Sequence, residues 1–211
     1  MQERAERTRG AIIAGAASTF GERGYVGAGV AEIVRRSGTA RGALYFHFAA
    51  KEELAEVVVD ACEAQLVSGF VRAAAETSAH GLARELAALS DGDLIVQAGL
   101  RLIVEGCPNP PAPRYRLLID ALAGQLAARG ERGRPPSPAA GAEADALAFA
   151  LMGALLGAQA MARTFGRPDR ARAKAERSCE LLIAGAQARA RAHARGAQAP
   201  EAGGPPAAPS G

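Results

Sequence analysis

Apolar residues recur every three or four positions over most of the chain, the period of a helix that buries one face. Ile12, Ile13, Ala16, Ala17 and Phe20 mark a first helix from Arg4 to Gly21, with Gly21 and Gly24 as its stop. A short second helix, Val30 to Ser37, is closed by Gly38, a residue free to take the left-handed conformation common at helix ends. A third covers Arg41 to His47, so residues 30 to 47 lay out two short helices joined by three or four residues, the spacing of a helix-turn-helix. From Lys51 a long helix is predicted to about Ser78, with Leu54, Val57, Val58, Ala61 and Leu66 inward. Its opening residues Lys51, Glu52 and Glu53 place two carboxylates at the positive end of the helix dipole. Further helices are predicted at about 81 to 89, 91 to 105, 113 to 129, 143 to 164 and 169 to 194. They are interrupted by GCPNPPAP at 106 to 113 and GERGRPPSPAAG at 130 to 141.

Composition supports this all-α reading. Ala makes up about a quarter of the 211 residues and β-branched residues are few; Ala loses no side-chain entropy in a helix, whereas β-branched residues do. With 49% hydrophobic and 22% charged residues the chain can bury a core as one domain or two small ones. The last 16 residues, from Gly196, are nearly all Ala, Gly and Pro with one charge, and are expected to be disordered. Arg supplies 23 of the 25 basic residues, a bias that fits a high-GC bacterial genome. The three cysteines, at 62, 107 and 179, have no paired spacing, so a reducing compartment is expected. The N-terminus lacks the apolar run of a signal peptide, and the expected location is the cytoplasm. Ala146 to Ala162 runs 17 residues without a charge and holds Gly153 and Gly157 at GxxxG spacing. It is rich in Ala and Gly rather than Leu and Ile, which favours a helix approached closely by a neighbour over a membrane span.

The formal net charge of +3 hides an uneven distribution. Residues 1 to 51 hold eight basic and four acidic side chains, a net +4, which leaves −1 for the rest. A polyanion partner would meet the N-terminus, and a DNA-packaging role, which needs basic charge over much of the surface, is disfavoured. Enzyme chemistry finds no foothold. His47, His80 and His193 show no metal spacing, no phosphate loop or nucleophile motif stands out, and adjacent Glu52 and Glu53 do not face one another on a helix. No catalysis, metal or cofactor is expected.

The most informative stretch is Gly38-Thr-Ala-Arg-Gly-Ala-Leu-Tyr-Phe-His-Phe48. Leu44 and Phe48, four residues apart, can face inward together, leaving Arg41, Gly42, Ala43, Tyr45 and His47 for the outer and flanking faces. A surface poor in side chains suits close approach to a DNA groove, with Arg, Tyr, His and N-terminal amides binding phosphate. The alternative is a local aromatic cluster of Tyr45, Phe46, His47 and Phe48.

Residues 9 to 58, with FGERGY ending the first helix, EIVRRSG in the second and GALYFHF leading into KEELA, resemble the DNA-binding domain of TetR-family transcriptional repressors. ALYFHF followed by KEELA is similar, more narrowly, to the γ-butyrolactone autoregulator receptors, which control antibiotic production in soil bacteria. The resemblance implies a DNA-binding domain at 1–50, a ligand-binding and dimerisation domain at 51–195 and a tail at 196–211. It implies that Thr39, Arg41, Gly42, Ala43, Tyr45 and His47 meet double-stranded operator DNA, with Lys51 completing a phosphate clamp. Two departures stand out: Gly29 and Ala40 occupy positions that the family commonly gives to Ser or Thr, so a hydroxyl is missing at the start of each motif helix.

The resemblance also implies an effector pocket among the middle helices, placed at Leu100, Ile103, Val104, Tyr115, Leu118, Ile119 and Leu122. It implies a homodimer through Leu147, Leu151, Ala154, Leu155, Ala158, Leu181, Leu182 and Gly185. Butyrolactone receptors place a Trp in the pocket wall; this chain has none, and Tyr115 falls in its place. Pro108, Pro110, Pro111 and Pro113 are candidates for a lid. The implied function is a repressor released from a palindromic operator by a γ-butyrolactone-type or antibiotic-like molecule, the alternative being a multidrug-sensing repressor of an efflux pump.

Overall fold

The computed structural model describes residues 2–91, 93–107, 112–130, 138–165 and 171–197. Among these the chain forms helices and no strands: α1 (Gln2–Gly27), α2 (Val30–Ser37), α3 (Arg41–His47), α4 (Lys51–Ala75), α5 (Ala79–Asp91), α6 (Leu94–Glu105), α7 (Ala112–Gly130), α8 (Pro138–Thr164) and α9 (Ala171–Ala197). Residues 131–137 of the expected loop, the expected lid residues Pro108, Pro110 and Pro111, and the expected tail from 198 onward lie outside the described residues; Pro113, expected with the lid, belongs to α7, and Gly196 and Ala197 belong to α9.

The first helix runs further than expected. Gly21 is helical and packs against Ala98 of α6; the break comes at Gly24, with φ 70° and ψ 179°. A residue with a Cβ would be strained there twice over, since its methyl would also lie 2.5 Å from Glu105 Oε1. Ile12, Ala16, Ala17 and Phe20 bury one stripe of α1, and Thr19 is buried beside them because its hydroxyl donates to Gly15 O at 2.7 Å. Gly15 lets α2 close on α1: a Cβ there would meet Ser37 N at 2.8 Å and Ile33 O at 3.0 Å.

α2 starts at an uncapped Gly29 and ends at Gly38 in the left-handed conformation, φ 65°. α3 starts at an uncapped Ala40 and anchors through Leu44 and Phe48. The long α4 buries Leu54, Ala55, Val58, Val59, Cys62, Leu66 and Phe70. Gly99 brings α6 onto it, at a place where a Cβ would lie 2.2 Å from Cys62 Cβ. α6 is capped at both ends, by Asp93 accepting Ile95 N–H at 2.7 Å and by left-handed Gly106. α1 packs on α6 and α4, α5 on α9, and α7 on α8, with α8 and α9 antiparallel neighbours. One hydrophobic cluster runs from Ile12 to Ile183, so the N-terminal helices share their core with the body. Arg114 ties α7 to α4 through Asp60 at 2.7 Å and Glu63 at 3.2 Å.

The expected dimer residues divide. Leu151 and Leu155 are buried within the single chain, because they point from α8 into the core along with Ala148 and Met152; they cannot meet a partner directly. Leu181 is 61% exposed, and Leu147 and Leu182 are half-buried. These three line a groove of about 500 Å3 between α8 and α9. Gly153, Gly157 and Gly185 have open space where a Cβ would sit. α8 is long and apolar enough to cross a membrane; its two apolar sides, one in the core and one bare, account for that composition.

Candidate nucleic-acid interface

Within α3 the chain sorts its side chains by direction. Leu44 and Phe48 face the core; Arg41, Gly42, Tyr45 and Phe46 are exposed; Thr39, Ala43 and His47 are half-buried. Arg41 stacks its guanidinium 5.7 Å from the Tyr45 ring centroid, one turn away, so the two flanking groups hold each other in place. Ser37 Oγ donates to Val34 O at 2.9 Å and lies 2.7 Å from Thr39 Oγ1, so Thr39 is the donor of that pair. Nothing lies within 4 Å of a Cβ built on Gly42. Packing inside the chain therefore does not require glycine there, and a bare patch is left on the outer surface.

Lys51, expected to complete a phosphate clamp, is engaged within the chain. Its ammonium donates to Tyr25 O at 3.0 Å and Ala28 O at 3.2 Å and sits 4.2 Å from the Tyr25 ring centroid. The carbonyls of Tyr25, in the last turn of α1, and of Ala28, just after it, are its acceptors, so it braces α1 to α4. Tyr25 completes the brace, its hydroxyl donating to Glu52 Oε1 at 2.7 Å. Burial, together with this bond, pushes the Tyr25 phenol up to about 12.

The N-terminal charge is partly spent internally. Glu32 accepts Arg35 at 2.7 Å and Arg36 at 2.8 Å and lies 3.6 Å from Arg23; Arg36 also bonds Glu22 and Ser18 Oγ. Hydrogen bonds from Arg35 and Arg36 pull the Glu32 carboxyl down to about 2. Arg41 has no carboxylate partner among the described residues. Arg9 lies over the Phe48 ring, 5.3 Å from its centroid, beside the end of α3.

A second set of contacts ties this region to the body. Glu105, at the C-terminus of α6, accepts Tyr25 N–H on Oε2 at 2.8 Å and Arg101 Nε on Oε1 at 2.6 Å. Arg101 Nη1 donates to Gly21 O at 2.9 Å. One residue before Glu105 begins a cleft of about 470 Å3, lined by Ile103 and Val104 of α6, Tyr115, Arg116 and Ile119 of α7, and Phe149 and Leu156 of α8. Four of the seven expected effector residues thus meet in one cleft. Leu100, Leu118 and Leu122 are instead fully buried in the core, where they set helix spacing. Burial raises the pKa of the Tyr115 phenol, which stays a neutral donor at the cleft wall.

Sequence reading missed Arg101, Glu105 and Tyr25, whose partners lie about 80 residues apart in the chain, and Phe46. For Phe46 a signal existed: on a helical wheel it stands opposite Leu44.

Comparison with known proteins gives a consistent picture. Residues 12–58 match the family model described as bacterial regulatory proteins, tetR family. The A-factor receptor protein of Streptomyces griseus is 35% identical over 63% of this chain and 48% of its own length, so the match spans about half of that relative. Crystal structures extend the likeness through the body. Full-length TylP, a TetR regulator from Streptomyces fradiae, is 32% identical over 87% of this chain and 80% of that one, with a TM-score of 0.59. A γ-butyrolactone receptor described as ArpA-like is 28% identical over 83% and 97%, with a TM-score of 0.54.

Proposed function

We propose, from the premise that this chain belongs to the tetR family of bacterial regulatory proteins, that it is a homodimeric repressor released from a partly palindromic operator by a small molecule. DNA binding is assigned to residues 1–50 and effector binding and dimerisation to 51–195. The outer face of α3 carries this reading: an uncompensated Arg41 stacked on Tyr45 beside a glycine that the fold itself does not need. Phosphate contacts from such flanking groups fix register on a duplex.

The effector is assigned to the cleft between α6, α7 and α8. An apolar wall with one phenol and one guanidinium at the edge suits a compact, mostly apolar molecule with a few polar atoms, such as a γ-butyrolactone. The relatives named for an A-factor and a γ-butyrolactone receptor support that class over a multidrug sensor. Ile103 and Val104 lie within two residues of Glu105, so a molecule that moves the end of α6 also moves the turn it holds. Half-sites one helical turn apart need heads about 34 to 36 Å apart, and an effector that favours another spacing draws the dimer off DNA.

The test is titration of the purified full chain onto the DNA upstream of its own gene, with and without synthetic γ-butyrolactones. Binding that is reversed by the lactone is expected. No binding to any duplex would overturn the regulator reading; binding that no lactone reverses would overturn the effector class.

A further inference from the structure

We propose that Phe46 reads the 5-methyl group of a thymine in the major groove, making apolar readout part of this protein's operator specificity; this rests on the DNA-binding function proposed above. Phe46 is 81% exposed, far more than Tyr45 at 47%. Successive helical residues are 100° apart, so Phe46 lies about 200° around α3 from the buried Leu44. Gly42, one turn earlier, points the same way and has nothing in front of it. The centre of the outer face therefore consists of a bare backbone and, one turn on, a phenyl ring. Arg41 and Tyr45 flank that centre on one side, Ala43 and His47 on the other.

Nothing in the chain's own packing calls for this ring. Its aromatic neighbour is His47, edge-on with centroids 5.1 Å apart, a contact that leaves the ring exposed. The ring stands clear of the chain's own core, on a face flanked by Arg41, Tyr45 and His47, where a partner surface can reach it. In the major groove the apolar feature among the base edges is the thymine methyl, and side chains such as Phe contact it. Gly42, Ala43 and Phe46 offer no side-chain hydrogen bonds to bases, so the face that would enter the groove is fitted for shape and methyl groups.

The test uses duplexes selected from a randomised pool by the full chain, resynthesised with single thymines replaced by uracil, which removes only the methyl. At one thymine per half-site the wild type is expected to lose about fourfold in affinity, the value of burying one methyl group. Phe46→Ala is expected to bind thymine and uracil duplexes alike at that position, with an unchanged melting temperature because the ring is exposed. Phe46→Leu should keep part of the discrimination. Uracil tolerated at every position, or the same uracil penalty in wild type and Phe46→Ala, would overturn the inference while leaving DNA binding intact. Failure to select any duplex would overturn it together with the regulator reading.

Discussion

Glu105 accepts the backbone N–H of Tyr25 at 2.8 Å across 80 residues of sequence, while its other oxygen holds Arg101. This joins the last turn of α6 to the break in α1, just ahead of the helix-turn-helix. Glu105→Ala removes an acceptor from a half-exposed site, at a cost of about 1 kcal/mol. The melting temperature should fall by about 2 to 4 °C, and the Tyr25 amide should exchange hydrogen faster. If that amide exchanges at its wild-type rate, the contact does not hold the turn.

The glycines at 15 and 42 should respond in opposite ways. Gly15→Ala drives a methyl to 2.8 Å from the Ser37 backbone, which cannot yield as a side-chain tip could, and should cost about 1 to 3 kcal/mol. Gly42→Ala meets only open space and should leave the fold unchanged or more stable by up to about 1 kcal/mol, yet weaken duplex binding by blocking close approach. Melting curves and duplex titrations on both variants separate the two roles. A Gly42→Ala protein that binds as well as wild type would remove Gly42 from the interface.

Core and the proposed dimer face can be distinguished by substituting Leu151 and Leu181. Leu151→Ala opens a cavity in the monomer and should cost about 2 to 5 kcal/mol. Leu181, 61% exposed, should leave monomer stability nearly unchanged when replaced by Glu, but shift sedimentation towards a single chain. A dimer that persists in Leu181→Glu would place the interface elsewhere.

Acid should loosen α2 through Glu32. Its carboxyl lies at about 2 in the folded chain, below the unfolded value near 4.5, so the stability it contributes is present above pH 4.5 and lost as pH falls towards 2. Glu32→Gln should flatten that part of the melting temperature against pH. An unchanged slope would show that other carboxylates dominate acid unfolding.

Local chemistry was legible in the sequence where neighbours in the chain decide it. The positions of α2 and α3, the Gly38 terminus, the inward pair Leu44 and Phe48 and the missing caps at Gly29 and Ala40 all follow from residues within a few places of one another. What was not legible depended on distant partners. Gly21 stays helical and packs on Ala98 of α6, and the ammonium of Lys51 holds the carbonyls of Tyr25 and Ala28. α8 begins at Pro138 rather than near 143, since a proline suits the first turn of a helix. Leu151 and Leu155 share an apolar pattern with the residues of the open groove, and only the packing of α8 on α7 and α9 separates core from surface. In the cleft between α6, α7 and α8, Tyr115 lines the wall, whereas Leu118 and Leu122, also on α7, turn into the core.

The measurement that bears most directly on this account is the salt dependence of duplex binding by the full chain, compared with Arg41→Ala. Each phosphate contact contributes about −0.9 to the slope of log affinity against log salt. A dimer carrying one Arg41 contact per half-site should lose about two phosphates' worth of slope, along with affinity for all duplexes. An unchanged slope and affinity in Arg41→Ala would contradict the assignment of α3 to the phosphate backbone.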